Sequence, residues 1–531
     1  MPVVIADTSG RGWWILYRYK LSLYQANCTP YRGGMATLQL AADRASGRSK
    51  WVIFTCVAIA QFMVVLDTAI INVALPVIKN QLHFSNSGIQ WVVTAYVLTF
   101  GGFLLLGGRT ADLFGRRRML LIGMIAFTVC SLLVGLAPST GLLVVLRALQ
   151  GASAAIMSPS ALSIVLTTFD EGQERNQALG YWSMVATGGA AVGLLLGGVL
   201  TQYAGWRWNF FINVPVGVAM SLVIARVVPA YEREEARTSL DAPGAVLVTA
   251  GLMALIFYFS QAPTWGWGDA RTLGALGVAI VLLATFIANE RRSHHPLVTI
   301  SIFRIRNLSG ANVMMAAVYA GNLGMFFLMT LYLQDVEHYS AIKTGLAFLP
   351  FPIILGTVSS QLRRLILRHG YKRYLILGPA VVAVGMAWLC FLPVHGSYLV
   401  HVLPSMLVMP IGYGMSFAPM YAAATSGVPA HQGGLASGLI TTSQQMGGAV
   451  GLAVLSGIAA SFTASLIHDS APLALTAGYN LAMAISVGFT LLALAVAVVV
   501  IRVPRREAES AGSGPRGMAA QPLPHTSQAA S

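Results

Sequence analysis

Asp67 and Arg147 are the two ionisable residues that lie deep within long apolar stretches of this chain. A carboxylate at membrane depth is costly, so it is a functional candidate by default. Asp67 follows Trp51 by sixteen residues, which at 1.5 Å per residue sets it roughly 24 Å from the cytoplasmic end of a helix. The stretch that holds Arg147 begins near Thr140 at the outer side, which sets the guanidinium roughly 10 Å below that surface. In an apolar layer about 30 Å thick these depths nearly coincide. If the first and fourth helices adjoin, the two side chains can pair directly or through water. Desolvation penalises the charged carboxylate and a neighbouring guanidinium favours it, so a change in that balance lets Asp67 take up and release a proton. The plainer alternative is a fixed structural ion pair.

A second constellation is Gly107-Gly108-Arg109-Thr110-Ala111-Asp112-Leu113-Phe114-Gly115-Arg116-Arg117-Arg118. Asp112 between Gly108 and Gly115, followed by Arg116, Arg117 and Arg118, predicts a tight, cation-rich turn at a membrane face. Asp112 can accept bonds from backbone donors at a helix N-terminus and so latch one conformation; a solvated turn that only sets topology is the alternative. A third is Gly189-x-x-x-Gly193-x-x-x-Gly197 with Gly198 beside it, a small-residue face that allows close helix packing. The chain has no phosphate-binding loop with its lysine, no nucleophile elbow and no metal-ligand spacing, which disfavours an ATP-driven pump or a membrane enzyme. Neither a metal nor a cofactor is expected.

These residues need an apolar scaffold. Of 531 residues, 56% are hydrophobic and 10% charged, with a mean hydropathy of +0.70, more apolar surface than a soluble core buries. Apolar runs of span length recur at about 51–76, 88–108, 117–137, 140–165, 178–201, 209–229, 242–262, 272–290, 309–333, 343–361, 374–393, 398–420, 435–460 and 476–502. The sequence therefore predicts an all-α integral membrane protein of about fourteen helices, since lipid offers no partners for open sheet edges.

The net charge of +15 sits in alternate loops, which points to positive-inside topology and not to nucleic acid. Arg109, Arg116, Arg117, Arg118, Arg175, Arg226, Arg233, Arg237, Arg291, Arg292, Arg304, Arg306, Arg363, Arg364, Arg368, Lys372, Arg373, Arg502, Arg505 and Arg506 fall on one side, whereas Lys79, Arg207, Arg271 and Lys343 fall on the other. Both termini are thus expected in the cytoplasm of a multi-pass cell-membrane protein. The predicted organisation is a disordered cytoplasmic extension at 1–50, with translation starting at Met1 or Met35, and a six-helix bundle at 51–230. A linker with two inserted helices follows at 231–292, then a second six-helix bundle at 293–502 and a disordered tail at 503–531.

Leu362-Arg363-Arg364-Leu365-Ile366-Leu367-Arg368-His369-Gly370-Tyr371-Lys372-Arg373 echoes the shape of Asp112–Arg118 between the tenth and eleventh spans. Such duplication is common in secondary transporters, whose substrate site lies between the halves. From Tyr374 to His468 no Asp, Glu, Lys or Arg occurs, so that wall suits an apolar substrate surface.

Taken together, Gly108–Arg118 resembles the signature loop between helices two and three of the major facilitator superfamily. Leu66-Asp67-Thr68-Ala69-Ile70-Ile71-Asn72-Val73-Ala74-Leu75-Pro76 resembles the first-helix motif of its fourteen-helix drug:proton antiporter branch. Arg147-Ala148-Leu149-Gln150-Gly151 resembles the fourth-helix motif, in which the family's arginine is linked to proton transfer. Trp206-Arg207-Trp208-Asn209-Phe210-Phe211-Ile212-Asn213-Val214-Pro215 and Leu240-Asp241-Ala242-Pro243-Gly244 resemble further markers of that branch.

The resemblance spans about residues 50–502. It implies two six-helix bundles, an inserted helix pair near 242–290 and alternating access driven by the proton gradient. The chain departs from the pattern at Leu194, where the antiporter motif has proline, at 343–361, which lacks the acid some relatives carry, and at Gln444, where relatives often have arginine.

The expected function is proton-coupled efflux of small amphipathic organic compounds (drugs, antibiotics or natural products), with Asp67 as proton or cation site, Arg147 as its partner and Asp112 with Arg116–Arg118 as gate. Its expected partners are a small-molecule substrate, protons and the lipid bilayer. A monomer is one reading of an open oligomeric state. The rivals are a facilitator or symporter of a specific metabolite, favoured by Leu194, and a transport-inactive membrane receptor or scaffold.

Overall fold

The computed structural model describes residues 32–502 except 86–87, 170–172, 230–240, 294–295, 297, 299, 429–432 and 467–469. The predicted extension before residue 32, the tail after 502 and most of the 231–241 linker thus lie outside the described residues. Packing divides the chain into two units, Met1–Thr55 and Cys56–Ser531. In the first, the residues from Arg32 on are helical and Trp51 stands edge-on to Phe54, ring centroids 5.5 Å apart.

Every regular element among the described residues is helical. The spans are α1 (Arg32–Leu82), α2 (Trp91–Phe114), α3 (Arg116–Leu136), α4 (Thr140–Thr168), α5 (Gln173–Tyr203), α6 (Trp208–Val227), α7 (Ala242–Trp265) and α8 (Ala270–Arg292). They continue with α9 (Arg306–Val336), α10 (Ala341–Phe348, resumed as Pro350–His369), α11 (Tyr371–Phe391), α12 (Tyr398–Thr425), α13 (Gly433–Ser465) and α14 (Ala471–Val499). Among the described residues eleven stretches are long and apolar enough to cross a membrane and three shorter apolar helices accompany them, in keeping with the fourteen spans expected. α1 begins earlier than the expected residue 51.

The helices pack as a repeated pattern. α4 lies against α2 and α3, and α6 lies against α3; eight helices later, α12 lies against α10 and α11, and α14 lies against α11. The halves meet where α2 touches α13 and, in the corresponding exchange, where α10 touches α5. The inserted pair stands outside this symmetry: α7 packs on α2 and α13, while α8 packs on α7 and is otherwise largely exposed.

The charged turn between α2 and α3 differs from expectation. Helix α2 continues through Arg109 and Asp112 to Phe114, so no extended loop exists there. Gly115 alone breaks the helix, with φ 94°, its N–H bonded to the Ala111 carbonyl at 3.1 Å. Once clear of lipid a helix need not stop until a residue takes a conformation that only glycine adopts cheaply. The echoed turn is built alike: α10 runs to His369, Gly370 has φ 74°, and α11 starts at Tyr371.

Gly108 is mid-helix and is not a turn residue; a Cβ on it would meet only Pro159 at 3.8 Å. The tight position is Gly107, where a Cβ would stand 2.0 Å from the Ala155 carbonyl oxygen of α4.

Candidate functional site

The first-half bundle encloses one connected polar network. Arg147 and Gln150 are three residues apart on α4 and therefore share a face. Arg147 Nη1 donates to Asp67 Oδ2 on α1 at 2.6 Å and to Gln150 Oε1 at 2.8 Å. Gln150 Nε2 donates to Asp67 Oδ1 at 2.9 Å, and Asn213 Nδ2, from α6, donates to the same oxygen at 3.0 Å. The hydroxyl of Ser131 on α3 accepts from both amides, at 2.7 Å from Gln150 and 3.2 Å from Asn213. Asp67 and Arg147 are each 0% exposed.

Arg147 has further anchors. Its Nε donates to the Val92 carbonyl on α2 at 3.0 Å, and its guanidinium lies over the Tyr96 ring at 4.3 Å and near that of Phe210 at 5.7 Å, a favourable cation–π arrangement. Its Nη2 has no hydrogen-bond partner among the described residues.

The site is clamped where α2 meets α4. Thr99 Oγ1 on α2 donates to the Ala148 carbonyl at 2.6 Å, and Gly151 brings α4 so close to α2 that a Cβ would be 2.2 Å from the Tyr96 carbonyl oxygen.

The structure thus joins Asp67 and Arg147 directly and adds Gln150, Asn213, Ser131 and Tyr96, to which the sequence reading gave no role. Gln150 was legible as the residue three after Arg147, and Asn213 as an amide inside an apolar span. Ser131 and Tyr96 carry no such signal, because a serine in a span usually bonds to its own helix backbone and a tyrosine there reads as ordinary aromatic packing. Asp67 is also not the one buried acid: Asp241, 7% exposed, caps α7 through the Gly244 N–H at 2.9 Å and accepts from Asn289 Nδ2, while Glu290, 4% exposed, accepts from the Val298 N–H at 3.0 Å. Both sit at helix ends; N-capping explains Asp241, and Glu290 serves the backbone of the segment that follows α8.

Elsewhere the predicted residues separate. Gly189 packs against Val65 and Phe62, Gly193 against Ala69 and the Leu66 carbonyl, and Gly197 against Ile70, so this face seats α5 on α1. Gly198 turns instead to Ala341 and Ile342 of α10. Arg117 donates to the Ala225 carbonyl near the end of α6, and Arg118 is exposed. Asp112 lies on α2, with its side chain outside the described residues.

At the end of the bundle away from Gly115, the halves are tied by polar contacts. Lys79 Nζ on α1 meets Asp335 Oδ2 on α9 at 3.0 Å, each side chain 18% exposed, and Gln334 Nε2 donates to the Val73 carbonyl at 2.9 Å. Asp335 and Gln334 sit on a single π-turn, Tyr332–Val336, that ends α9; such turns redirect side chains and recur at functional positions. The Ser456 hydroxyl of α13 donates to Gln90 Oε1, just before α2.

Two pseudo-symmetric six-helix sets, the first enclosing a buried Asp–Arg network, define a secondary-transporter architecture. The family model described as Major Facilitator Superfamily matches residues 57–452, and the chain belongs to that superfamily of membrane transporters. It is 38% identical to the puromycin resistance protein of Streptomyces alboniger over 90% of this chain and 96% of that one. It is 37% identical to the cephamycin export protein of Amycolatopsis lactamdurans, again over 90% and 96%, and 36% identical to the lincomycin resistance protein of Streptomyces lincolnensis over 91% and 97%.

Among solved structures it resembles a bacterial homologue of the human lysosomal transporter Spinster in an inward-facing, unoccupied conformation. The TM-score is 0.62 and the identity 14%, over 88% of this chain and 99% of that one. A peptide transporter in complex with sulfate matches with a TM-score of 0.60 and 17% identity, over 86% and 95%. At these identities the likeness concerns the fold alone.

Proposed function

We propose that this transporter exports small amphipathic organic compounds across the cytoplasmic membrane by alternating access, with protons entering through Asp67 as the driving force. The observation that carries the proton step is the carboxylate sealed among Arg147, Gln150 and Asn213. A proton on Asp67 would cancel the charge that holds Arg147 and one acceptor used by these donors, so protonation and rearrangement of α1 against α4 and α6 become one event. The export direction rests on the full-length similarity to resistance and export proteins. The basic residues around the Gly115 and Gly370 turns support a topology with both termini in the cytoplasm.

The decisive assay uses inverted vesicles that hold a proton gradient reported by a pH-sensitive dye. Adding lipophilic aromatic compounds to wild-type vesicles is expected to dissipate the gradient, and to leave it intact with Asp67→Asn. Uptake of the same compounds that proceeds without moving protons would leave a facilitator. One observation favours that second reading: α5 runs unbroken past Leu194, where the antiporter motif has proline, and the Leu194 carbonyl packs against Gly345 of α10.

Alternating access also requires the Lys79–Asp335 end to open. Joining Lys79→Cys to Asp335→Cys with a short, reducible bifunctional thiol reagent is expected to stop export, and reduction to restore it. Undiminished transport by the cross-linked protein would exclude opening at this seam.

A further inference from the structure

We propose that the inner face of the second half, formed by Tyr319, Phe417, Tyr421 and Gln444, binds a neutral, ring-bearing molecule through stacking and amide hydrogen bonds, and selects against charged ones. The proposal rests on the export reading in taking the seam between the halves as the substrate's place.

Three helices converge here. The side chain of Gln444 on α13 lies close to two phenols: Tyr319 on α9 and Tyr421 on α12, whose hydroxyl is 3.5 Å from Gln444 Oε1 and 3.2 Å from Thr441 Oγ1. The Phe417 ring lies 5.9 Å from that of Tyr319 and is stacked on Tyr413 at 5.8 Å with a 25° interplanar angle. Tyr413 is 0% exposed and backs this wall, whereas Tyr319, Phe417, Tyr421 and Gln444 are only half-buried and present an open side. The helix that carries this wall also borders the first half: on α13, Gln445 and Met446 would stand 2.7 and 2.6 Å from a Cβ on Gly101 of α2.

The chemistry of the wall sets the ligand class. An amide offers both donors and an acceptor, matching a molecule with hydroxyl and carbonyl groups on a ring, and the aromatic faces favour offset or edge stacking. Charge is absent: residues 307–334, 344–362 and 374–468 contain no Asp, Glu, Lys or Arg. In the first half the two charges at membrane depth, Asp67 and Arg147, are paired with each other and 0% exposed. A charged ligand would leave water without a counter-ion, which is strongly unfavourable. Cation–π attraction to the rings returns only part of that cost.

The test holds the ring system constant and varies the charge. Purified protein in detergent is equilibrated by dialysis against 1-hydroxyanthraquinone, an anthraquinone sulfonate and a trimethylammonium-methyl anthraquinone. The neutral compound is expected to bind at least tenfold more tightly than either ion. Gln444→Ala is expected to weaken its binding about tenfold, and Gln444→Glu to raise affinity for the ammonium compound, a gain that a misfolded protein cannot show. Equal affinity for the three compounds, or full affinity in Gln444→Ala, would overturn the proposal. No gradient is present in this assay, so selective binding with no transport in vesicles would sink the export reading alone, and transport with unselective binding would sink only this one.

Discussion

Replacing Arg147 by alanine is expected to lower stability by about 3–5 kcal/mol, because it leaves the Asp67 carboxylate buried without its cation. The remaining donors, Gln150 and Asn213, are neutral amides and do not replace the charge. Export is expected to be lost as well. Asp67→Asn should also destabilise, since it leaves a guanidinium that is 0% exposed without a counter-charge, held only by neutral acceptors such as Gln150 Oε1 and the Val92 carbonyl and by the Tyr96 and Phe210 rings.

The informative variant is the double one, Asp67→Asn with Arg147→Gln, which removes both charges and keeps hydrogen-bonding shapes. It is expected to recover most of the stability, with a coupling energy of about 1–3 kcal/mol between the two positions, and none of the proton-linked transport. Thermal unfolding of the purified variants measures the first, and gradient dissipation in vesicles the second. If the double variant still moved protons with substrate, Asp67 would be a structural ion and the coupling site would lie elsewhere.

The second large effect is expected at Gly151. A Cβ there would be 2.2 Å from the Tyr96 carbonyl oxygen and 2.4 Å from Thr99 Oγ1. One of these is backbone and cannot rotate aside, so α2 and α4 must separate. Gly151→Ala is expected to cost about 1–3 kcal/mol, the range for overpacking a tight interface, and Gly151→Val more. Because Gln150 and Arg147 ride on the same helix and Tyr96 covers the guanidinium, activity should fall along with stability.

Gly277→Ala on α8 is the matched control. A Cβ at that glycine meets nothing within 4 Å, so the variant is expected to be neutral or to gain up to about 1 kcal/mol from helix propensity. Similar losses in both variants would show that glycine content, and not close approach at Gly151, is what matters.

Much of this was legible in the chain. Lipid forces each apolar run to satisfy its own backbone, so run length and composition alone specify helices and their number. Asp67 and Arg147 stood out because ionisable groups are rare at membrane depth, and a count of helical rise was enough to bring them level. The Gly115 and Gly370 turns were recognisable as an echo because each sets a glycine amid basic residues between two apolar runs; the structure adds that both glycines have positive φ.

The tertiary structure decided the rest. Gly107, not Gly108, is the contact glycine of α2, because helix rotation against α4 determines which of two neighbours meets Ala155. Ser131 and Asn213 joined the Asp67 network because α3 and α6 enclose it from sides that no local periodicity specifies. Lys79 met Asp335 across 256 residues because the two halves close on each other at that end. The local solvent, lipid or water, dictates which segments are helical and where charge is tolerated. Which side chains then touch depends on the rotation and approach of rigid helices, which are set by many small packing contacts summed over the whole bundle.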